Sequence, residues 1–114
     1  MRNSNIELTV SLDSNNIPET IDWSATDFAD GKPQPTKAFA LSIWDADHKS
    51  IMKIDLWNKE MEVAEMKMFA IQCIGGLGDT LFSATGDEDM QREIHQLCDK
   101  LAAILKKQQE EARQ

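Results

Sequence analysis

The apolar residues change their period near residue 60, and this change limits the folds open to the chain. Before it, apolar and polar residues alternate in several short runs; from Glu62 onward, apolar residues recur at spacings of three and four. Alternation is typical of half-buried strands, and the longer period is typical of amphipathic helices. A length of 114 residues suits one domain. We therefore predict a single α+β domain over residues 1–114, with a sheet half at about 5–58, a helical half at about 61–107 and a frayed tail at 108–114.

The sheet half is predicted to begin with a hairpin. Residues 6–12 alternate, and a second alternating run follows the polar turn at residues 13–16. Pairing Leu12 with Ile17 would align the apolar residues of both strands on one face, with Leu8 opposite Ile21 and Ile6 opposite Trp23. Pro18 cannot donate a ladder hydrogen bond, so its strand either lies at an edge or starts at a bulge.

A second hairpin is predicted after a loop in which Gly31, Pro33 and Pro35 indicate irregular structure. Its strands read KAFALSIWD and SIMKIDLWN around a short turn. One face would pair Phe39, Leu41 and Ile43 with Leu56, Ile54 and Met52, and the other would pair Ala38, Ala40, Ser42 and Trp44 with Trp57, Asp55, Lys53 and Ile51. The predicted architecture is one antiparallel four-stranded sheet of two hairpins, with two C-terminal helices packed on one face.

The first predicted helix contains the cluster CIGGLGD, which superficially resembles a phosphate-binding loop. Such a loop needs a preceding strand and a helix that starts at its end. Here the apolar period continues through the glycines without a break, and the sequence GK[ST] is missing. We therefore predict a continuous helix, and no nucleotide cofactor.

The glycines nevertheless need a structural reason, because each costs about 1 kcal/mol relative to alanine inside a helix. They lie on the second of two apolar stripes. The first stripe is predicted to lie on the sheet, and it comprises Met66, Phe69, Ala70, Cys73, Leu77, Leu81 and Ala84. The second would allow another helix to approach closely, either residues 88–106 or a second subunit of a homodimer; it comprises Ala64, Met68, Ile71, Gly75, Gly78 and Phe82.

Composition excludes several classes of function. A net charge of −8 disfavours nucleic acid as a partner, since phosphate backbones need a basic surface. No apolar run is long enough to span a membrane, and the polar start MRNSNIELTV is unlike a signal peptide, so we expect a cytoplasmic protein without membrane insertion. Asp45, Asp47 and His48 in the second hairpin turn fail the EF-hand pattern. We predict no catalytic residues, no cofactor and no metal site.

The strongest candidate for a binding site is the mixed face of the second hairpin. Trp44 and Trp57 lie on it near opposite ends, and Ser42, Lys53 and Asp55 lie between them. Two interpretations are open. The chain itself covers the two tryptophans, with loop residues such as Phe28 or with the proline loop. Alternatively, the face binds a protein partner and the tryptophans are its anchors.

Several stretches resemble one known family. They are IDWSA, KAFALSIWD, IDLWNKEM followed by VAEMKMF, ATGDEDM and LCDKL, in this order between Ile6 and Leu105. The chain resembles the gliding-motility protein GldC family of Bacteroidetes. Glu62 stands where we expect this family to open the helix with proline. The resemblance implies a small cytoplasmic accessory protein of surface gliding, and it carries over no catalytic residue or cofactor.

The leading hypothesis is therefore a non-enzymatic, acidic interaction protein that binds part of the gliding or secretion machinery. A chaperone-like escort of a secreted component is a version of it. The alternatives are a small-ligand-binding module, which would show a pocket between the Trp44 face and the proline loop, and an enzyme, which would need an acid–base pair.

Overall fold

A computed structural model describes residues 1–113, and the chain separates into two compact units. One comprises Met1–Met61 and contains all the strands; the other begins at Glu62 and contains two helices. The α+β class and the boundary between strands and helices agree with the change of period in the sequence. The predicted packing of the helices on one face of the sheet stays a prediction.

The strand unit contains five strands in two sheets, so the prediction of one four-stranded sheet was wrong. The first sheet has the order β1 (Ile6–Leu12), β2 (Pro18–Ala25), β3 (Gln34–Thr36), and the second pairs β4 (Ala38–Asp45) with β5 (Ser50–Trp57). All pairings are antiparallel, and the two predicted hairpins, β1–β2 and β4–β5, are both present. The missed strand, β3, comes from the segment that its prolines had indicated to be irregular.

The chain changes pairing partner at Lys37, which separates the two sheets. β3 pairs with β2, and β4 begins only one residue later but pairs with β5. The Thr36 hydroxyl donates to the Ala38 carbonyl at 3.1 Å, and the Asn58 N–H donates to the Lys37 carbonyl at 2.8 Å. Asn58, which follows β5, is 6% exposed and fixes the end of the second sheet against this junction.

The register of the first hairpin differs by two residues from the predicted one. Val10 pairs with Ile21, Leu8 with Trp23 and Ile6 with Ala25, and the ladder is irregular between Ser11 and Leu12. A shift of two keeps each side chain on the predicted face. Pro18 begins β2 opposite this irregularity, which matches the bulge alternative, while β2 itself is the central strand. Ile21 on β2 is 1% exposed and is the most buried large side chain of the described residues.

The helical unit is a hairpin of two long helices. α1 spans Val63–Thr85 and α2 spans Glu88–Ala112. Gly86 ends α1 in the left-handed conformation at φ 75°, and the Asp87 side chain accepts the N–H of Met90 at 2.9 Å to cap α2. Both devices are common at helix ends, and together they reverse the chain within two residues.

At its far end, α2 differs from the predicted frayed tail of residues 108–114. The helix continues to Ala112, and Gln114 lies outside the described residues. A hydrogen bond joins the two helices at this end, since the Lys67 ammonium donates to Oε1 of Gln108 at 2.8 Å. This contact holds the first residue of the predicted tail beside α1.

Candidate functional site

The β4–β5 hairpin carries the predicted protein-binding face, and its predicted register is confirmed. Ala38 pairs with Trp57, Ala40 with Asp55, Ser42 with Lys53 and Trp44 with Ile51. Side chains of directly paired residues point to the same side of a sheet. The hairpin therefore gathers Ser42, Trp44, Lys53, Asp55 and Trp57 on one face.

Both tryptophans of this face are exposed, Trp44 at 63% and Trp57 at 55%. The third tryptophan, Trp23, is half-buried and stacks on Phe28 with 4.9 Å between the ring centroids. Phe28 thus covers Trp23, and the suggestion that it covers Trp44 or Trp57 was wrong. Trp57 lies six residues beyond Ile51, the partner of Trp44, so the backbone positions of the two tryptophans are about 20 Å apart along the hairpin.

The centre of the face is polar but internally paired. The Lys53 ammonium forms an ion pair with the Asp55 carboxylate, and both side chains are nearly half exposed. The two charges cancel, so the strip between the tryptophans has no net charge although the whole chain carries −8. Chemically, the face offers two apolar anchors separated by a neutral polar strip.

The opposite face of the same hairpin is also partly open. Phe39, Leu41 and Leu56 are half-buried, whereas Ile43, Met52 and Ile54 are more than half exposed. This face contains apolar side chains but no tryptophan, and its residues provide matched controls for experiments on Trp44 and Trp57.

The β4–β5 turn places Asp45, Asp47 and His48 together, as the sequence predicted. The Asp45 carboxylate accepts the N–H groups of Asp47 at 3.0 Å and His48 at 3.2 Å, and His48 Nδ1 lies 2.9 Å from its other oxygen. The hydrogen bond from the His48 ring, followed by the backbone hydrogen bond from His48, lowers the pKa of Asp45. Within residues 1–113, no group of three or more His, Cys, Asp or Glu side chains is placed to hold a metal ion.

A shallow cleft of about 450 Å³ lies between β2, β3 and the segment that follows β5. It includes Pro35 of the proline loop, but neither Trp44 nor Trp57. It is therefore a different place from the pocket that the small-ligand alternative requires. Its lining consists of Glu19, Thr20, Ile21, Asp22, Pro35, Thr36, Lys37, Asn58 and Glu60.

The second stripe of α1 is the other predicted site, and two of its glycines lie against α2 of the same chain. A Cβ atom on Gly78 would lie 2.9 Å from Cγ2 of Ile94, and one on Gly75 would lie 3.5 Å from the Cys98 sulfur. The Cys98 thiol also donates to the Ile71 carbonyl at 3.6 Å. Of the remaining members, Ala64 is half-buried, while Met68 is 46% and Phe82 39% exposed. Contact of this stripe with a second subunit stays a prediction.

The sequence interpretation missed one feature of the helices. Leu77 is 64% exposed on α1, and Met90, Leu97 and Ile104 are 45–51% exposed on α2. The three residues of α2 are spaced by seven, a signal that was present in the sequence. Neither helix, over the residues that the structure describes, is both long and apolar enough to cross a membrane.

A family model described as gliding motility-associated protein GldC-like matches residues 18–107. The chain belongs to this family. The match covers β2 to β5 and both helices of the GldC-like chain as far as the last turns of α2, and it confirms the resemblance seen in the sequence. The family associates the chain with gliding motility and is not a known enzyme family. No curated protein and no solved structure shows significant similarity to the chain.

Proposed function

We propose that this GldC-like chain is a non-enzymatic, cytoplasmic interaction protein that binds a protein component of the gliding or secretion machinery through the mixed face of β4–β5. The observation that supports the proposal is the exposure of Trp44 and Trp57 on one face, at 63% and 55%. Tryptophan is enriched among the residues that dominate the binding energy of protein interfaces, and exposing two of them has no benefit for folding.

The geometry defines the kind of partner. Two tryptophans about 20 Å apart along a hairpin need a partner surface with two apolar pockets at that separation. The paired charges of Lys53 and Asp55 between them adapt to a partner of either sign. An escort of a secreted component would use the same face, with the cargo protein as the partner.

The experiment is an affinity capture from the native organism with four forms of the chain. Wild type is compared with Trp44→Ala, Trp57→Ala and the control Met52→Ala, which removes an equally exposed side chain from the opposite face of the same hairpin. Proteins that wild type and Met52→Ala retain, but both tryptophan variants lose, are partners of the mixed face.

With a purified partner from this experiment, the dissociation constant of each variant can be measured. Truncating an interface hot spot weakens binding by roughly 30-fold or more, since it costs at least about 2 kcal/mol. Met52→Ala should leave the dissociation constant unchanged within a factor of about two. If both tryptophan variants keep every partner that wild type binds, the mixed face is not the binding site.

A further inference from the structure

The two helices expose apolar residues at a spacing of seven along one side of their hairpin. On α2 the row is Met90, Leu97 and Ile104, each about half exposed. On α1 the corresponding row is Ala70, Leu77 and Ala84, in which Leu77 is 64% exposed and both alanines are also exposed. A seven-residue repeat is the pattern of helices that pack side by side over several turns.

One member of each row, Ala70 and Ile104, lines the same groove of the helix pair. A groove of about 230 Å³ is lined by Ala70 and Ile74 of α1 and by Leu101 and Ile104 of α2, so these residues lie on one side of the hairpin. Between consecutive members of each row lies a half-buried residue, four positions after one member and three before the next. These residues are Ile74 and Leu81 on α1, and Ile94 and Leu101 on α2. The side therefore has the a and d positions of a heptad repeat, with the d positions left open.

The midpoints of the two rows stand at the same level along the hairpin. Gly75 lies opposite Cys98 and Gly78 lies opposite Ile94, which brings Leu77 level with Leu97 to within about one helical turn. One two-fold axis perpendicular to the helices can therefore pass through both midpoints. Such an axis would place Leu97 against Leu97 of a second copy, Met90 against its Ile104, and Leu77 against its Leu77.

The charges beside the row on α2 have the same symmetry. Glu93 and Lys100 flank the row in the g positions, and their midpoint lies half a residue from Leu97. Among the described residues, neither side chain forms an ion pair within the chain. With α2 antiparallel to α2 of a second copy about Leu97, each Glu93 meets Lys100 of the other copy, and two intermolecular ion pairs form.

We propose that this side of the hairpin is the interface of a homodimer, in which two hairpins pack face to face as an antiparallel four-helix bundle. The rows extend over about 20 Å, and two adjacent helices are about 20 Å wide. The flat area of this side is therefore roughly 400 Å² on each copy, and the accessible surface is larger because the side chains protrude. Stable interfaces use about 800 Å² on each partner. We therefore expect a dimer in equilibrium with its monomer at micromolar concentrations.

The predicted dimer differs from a dimer through the glycine stripe, because Gly75 and Gly78 already face α2. It uses Ala70, Leu77, Leu81 and Ala84 of the first stripe, so it is an alternative to the predicted packing of that stripe on the sheet. It is also independent of the proposed role of Trp44 and Trp57. Loss of one proposal would leave the other standing.

Sedimentation velocity of the full chain, from about 1 to 200 µM, tests the dimer and its face. Wild type should shift from monomer to dimer over this range. Leu97→Glu should be monomeric throughout, because it places two carboxylates at the axis, whereas Ala103→Glu, on the outer side of α2, should behave as wild type. Circular dichroism checks that both variants remain helical. A monomeric wild type at the highest concentration, or a dimer that Leu97→Glu preserves, overturns the proposal.

Charge exchange tests the antiparallel register. Glu93→Lys and Lys100→Glu should each weaken dimerisation by roughly threefold to tenfold, since each replaces two attractions with two repulsions at the rim of the interface. The double variant should recover wild-type affinity, and Glu110→Lys controls for the change of net charge. About 1 M salt should reduce these differences. If the double variant is as weak as the single ones, the proposed register is wrong.

Discussion

Gly78 of α1 and Ile94 of α2 approach so closely that a Cβ atom at position 78 would lie 2.9 Å from Cγ2 and 3.2 Å from Cβ of Ile94. The isoleucine Cβ belongs to a branched side chain with little freedom to move in a helix. The contact gives a steric reason for glycine at this position in the middle of a helix, despite its conformational cost. The glycine cluster is therefore not uniform, because a Cβ atom on Gly76 would meet nothing within 4 Å.

Gly78→Ala should destabilise the helical hairpin. Overpacking against Ile94 costs about 1–3 kcal/mol, and the better helix propensity of alanine returns about 1 kcal/mol, so the free energy of unfolding should fall by up to roughly 2 kcal/mol. Urea denaturation followed by circular dichroism measures the change at fixed protein concentration.

Gly76→Ala is the matched control, two residues away in the same helix. The added methyl group faces open space, so only the gain in helix propensity remains, and the free energy of unfolding should rise by about 1 kcal/mol. If the two substitutions change stability in the same direction, the close packing of Gly78 against Ile94 is contradicted.

The sequence predicted those elements whose signals are local. The β4–β5 register followed from two apolar runs joined by a short turn, and the helix pair followed from uninterrupted three- and four-residue spacing. The β1–β2 register did not follow, because the Asp13 carboxylate, with N–H donors from Asn15 and Ile17, builds a turn that moves the ladder by two residues. β3 was missed because Pro35 sits in it, which an edge strand permits.

The sequence was less informative about the candidate site. Alternation placed Trp44 and Trp57 on one face but could not show that both stay exposed, since the aromatic partner Phe28 could have reached either of them. In the structure an isolated antiparallel β-bridge pairs Phe28 with Ala25. This pairing keeps the Phe28 ring beside Trp23. Contacts of this kind depend on where loops close, and no period in the sequence records them.

Exposure predicts different effects of the three tryptophans on stability. Trp23→Ala removes a half-buried ring stacked on Phe28 and should lower the free energy of unfolding by about 2–3 kcal/mol. Trp44→Ala and Trp57→Ala should lower it by less than about 1 kcal/mol, because their rings are already exposed to water. Urea denaturation monitored by circular dichroism compares all three.

Fluorescence checks the same assignment without truncation. The chain has three tryptophans and no tyrosine, so its emission reports tryptophan alone. Acrylamide should quench the emission of Trp44 and Trp57 more strongly than that of Trp23. The double variant Trp44→Phe/Trp57→Phe keeps only Trp23, so its emission measures the quenching of that residue alone. If acrylamide quenches the double variant as strongly as wild type, Trp23 is not shielded by its stacking on Phe28.

The cap of α2 can be tested at Asp87. Its carboxylate accepts the Met90 N–H at 2.9 Å, and Asp87→Ala should therefore cost about 1 kcal/mol of stability. Glu88→Ala, one residue further, removes an acidic side chain from the same first turn without removing the cap, and should cost only a few tenths of a kcal/mol. Equal losses for the two variants, measured by urea denaturation, would show that charge near the helix start, and not the cap, stabilises α2.

Acid stability should depend on the ion pair Asp13–Lys59, which ties the β1–β2 turn to the segment after β5. The Lys59 ammonium, followed by the backbone N–H groups of Ile17 and Asn15, lowers the pKa of Asp13 to about 2, and the carboxyl side chain is only 13% exposed. Because the folded pKa lies below the unfolded value of 3.8, this stabilisation is complete above about pH 4 and is lost as the pH falls towards 2. Asp13→Asn should therefore be less stable than wild type at neutral pH, with the difference shrinking between about pH 4 and 2. Urea denaturation across this range measures the difference. A constant difference between wild type and Asp13→Asn down to pH 2 would mean that Asp13 does not titrate with a lowered pKa.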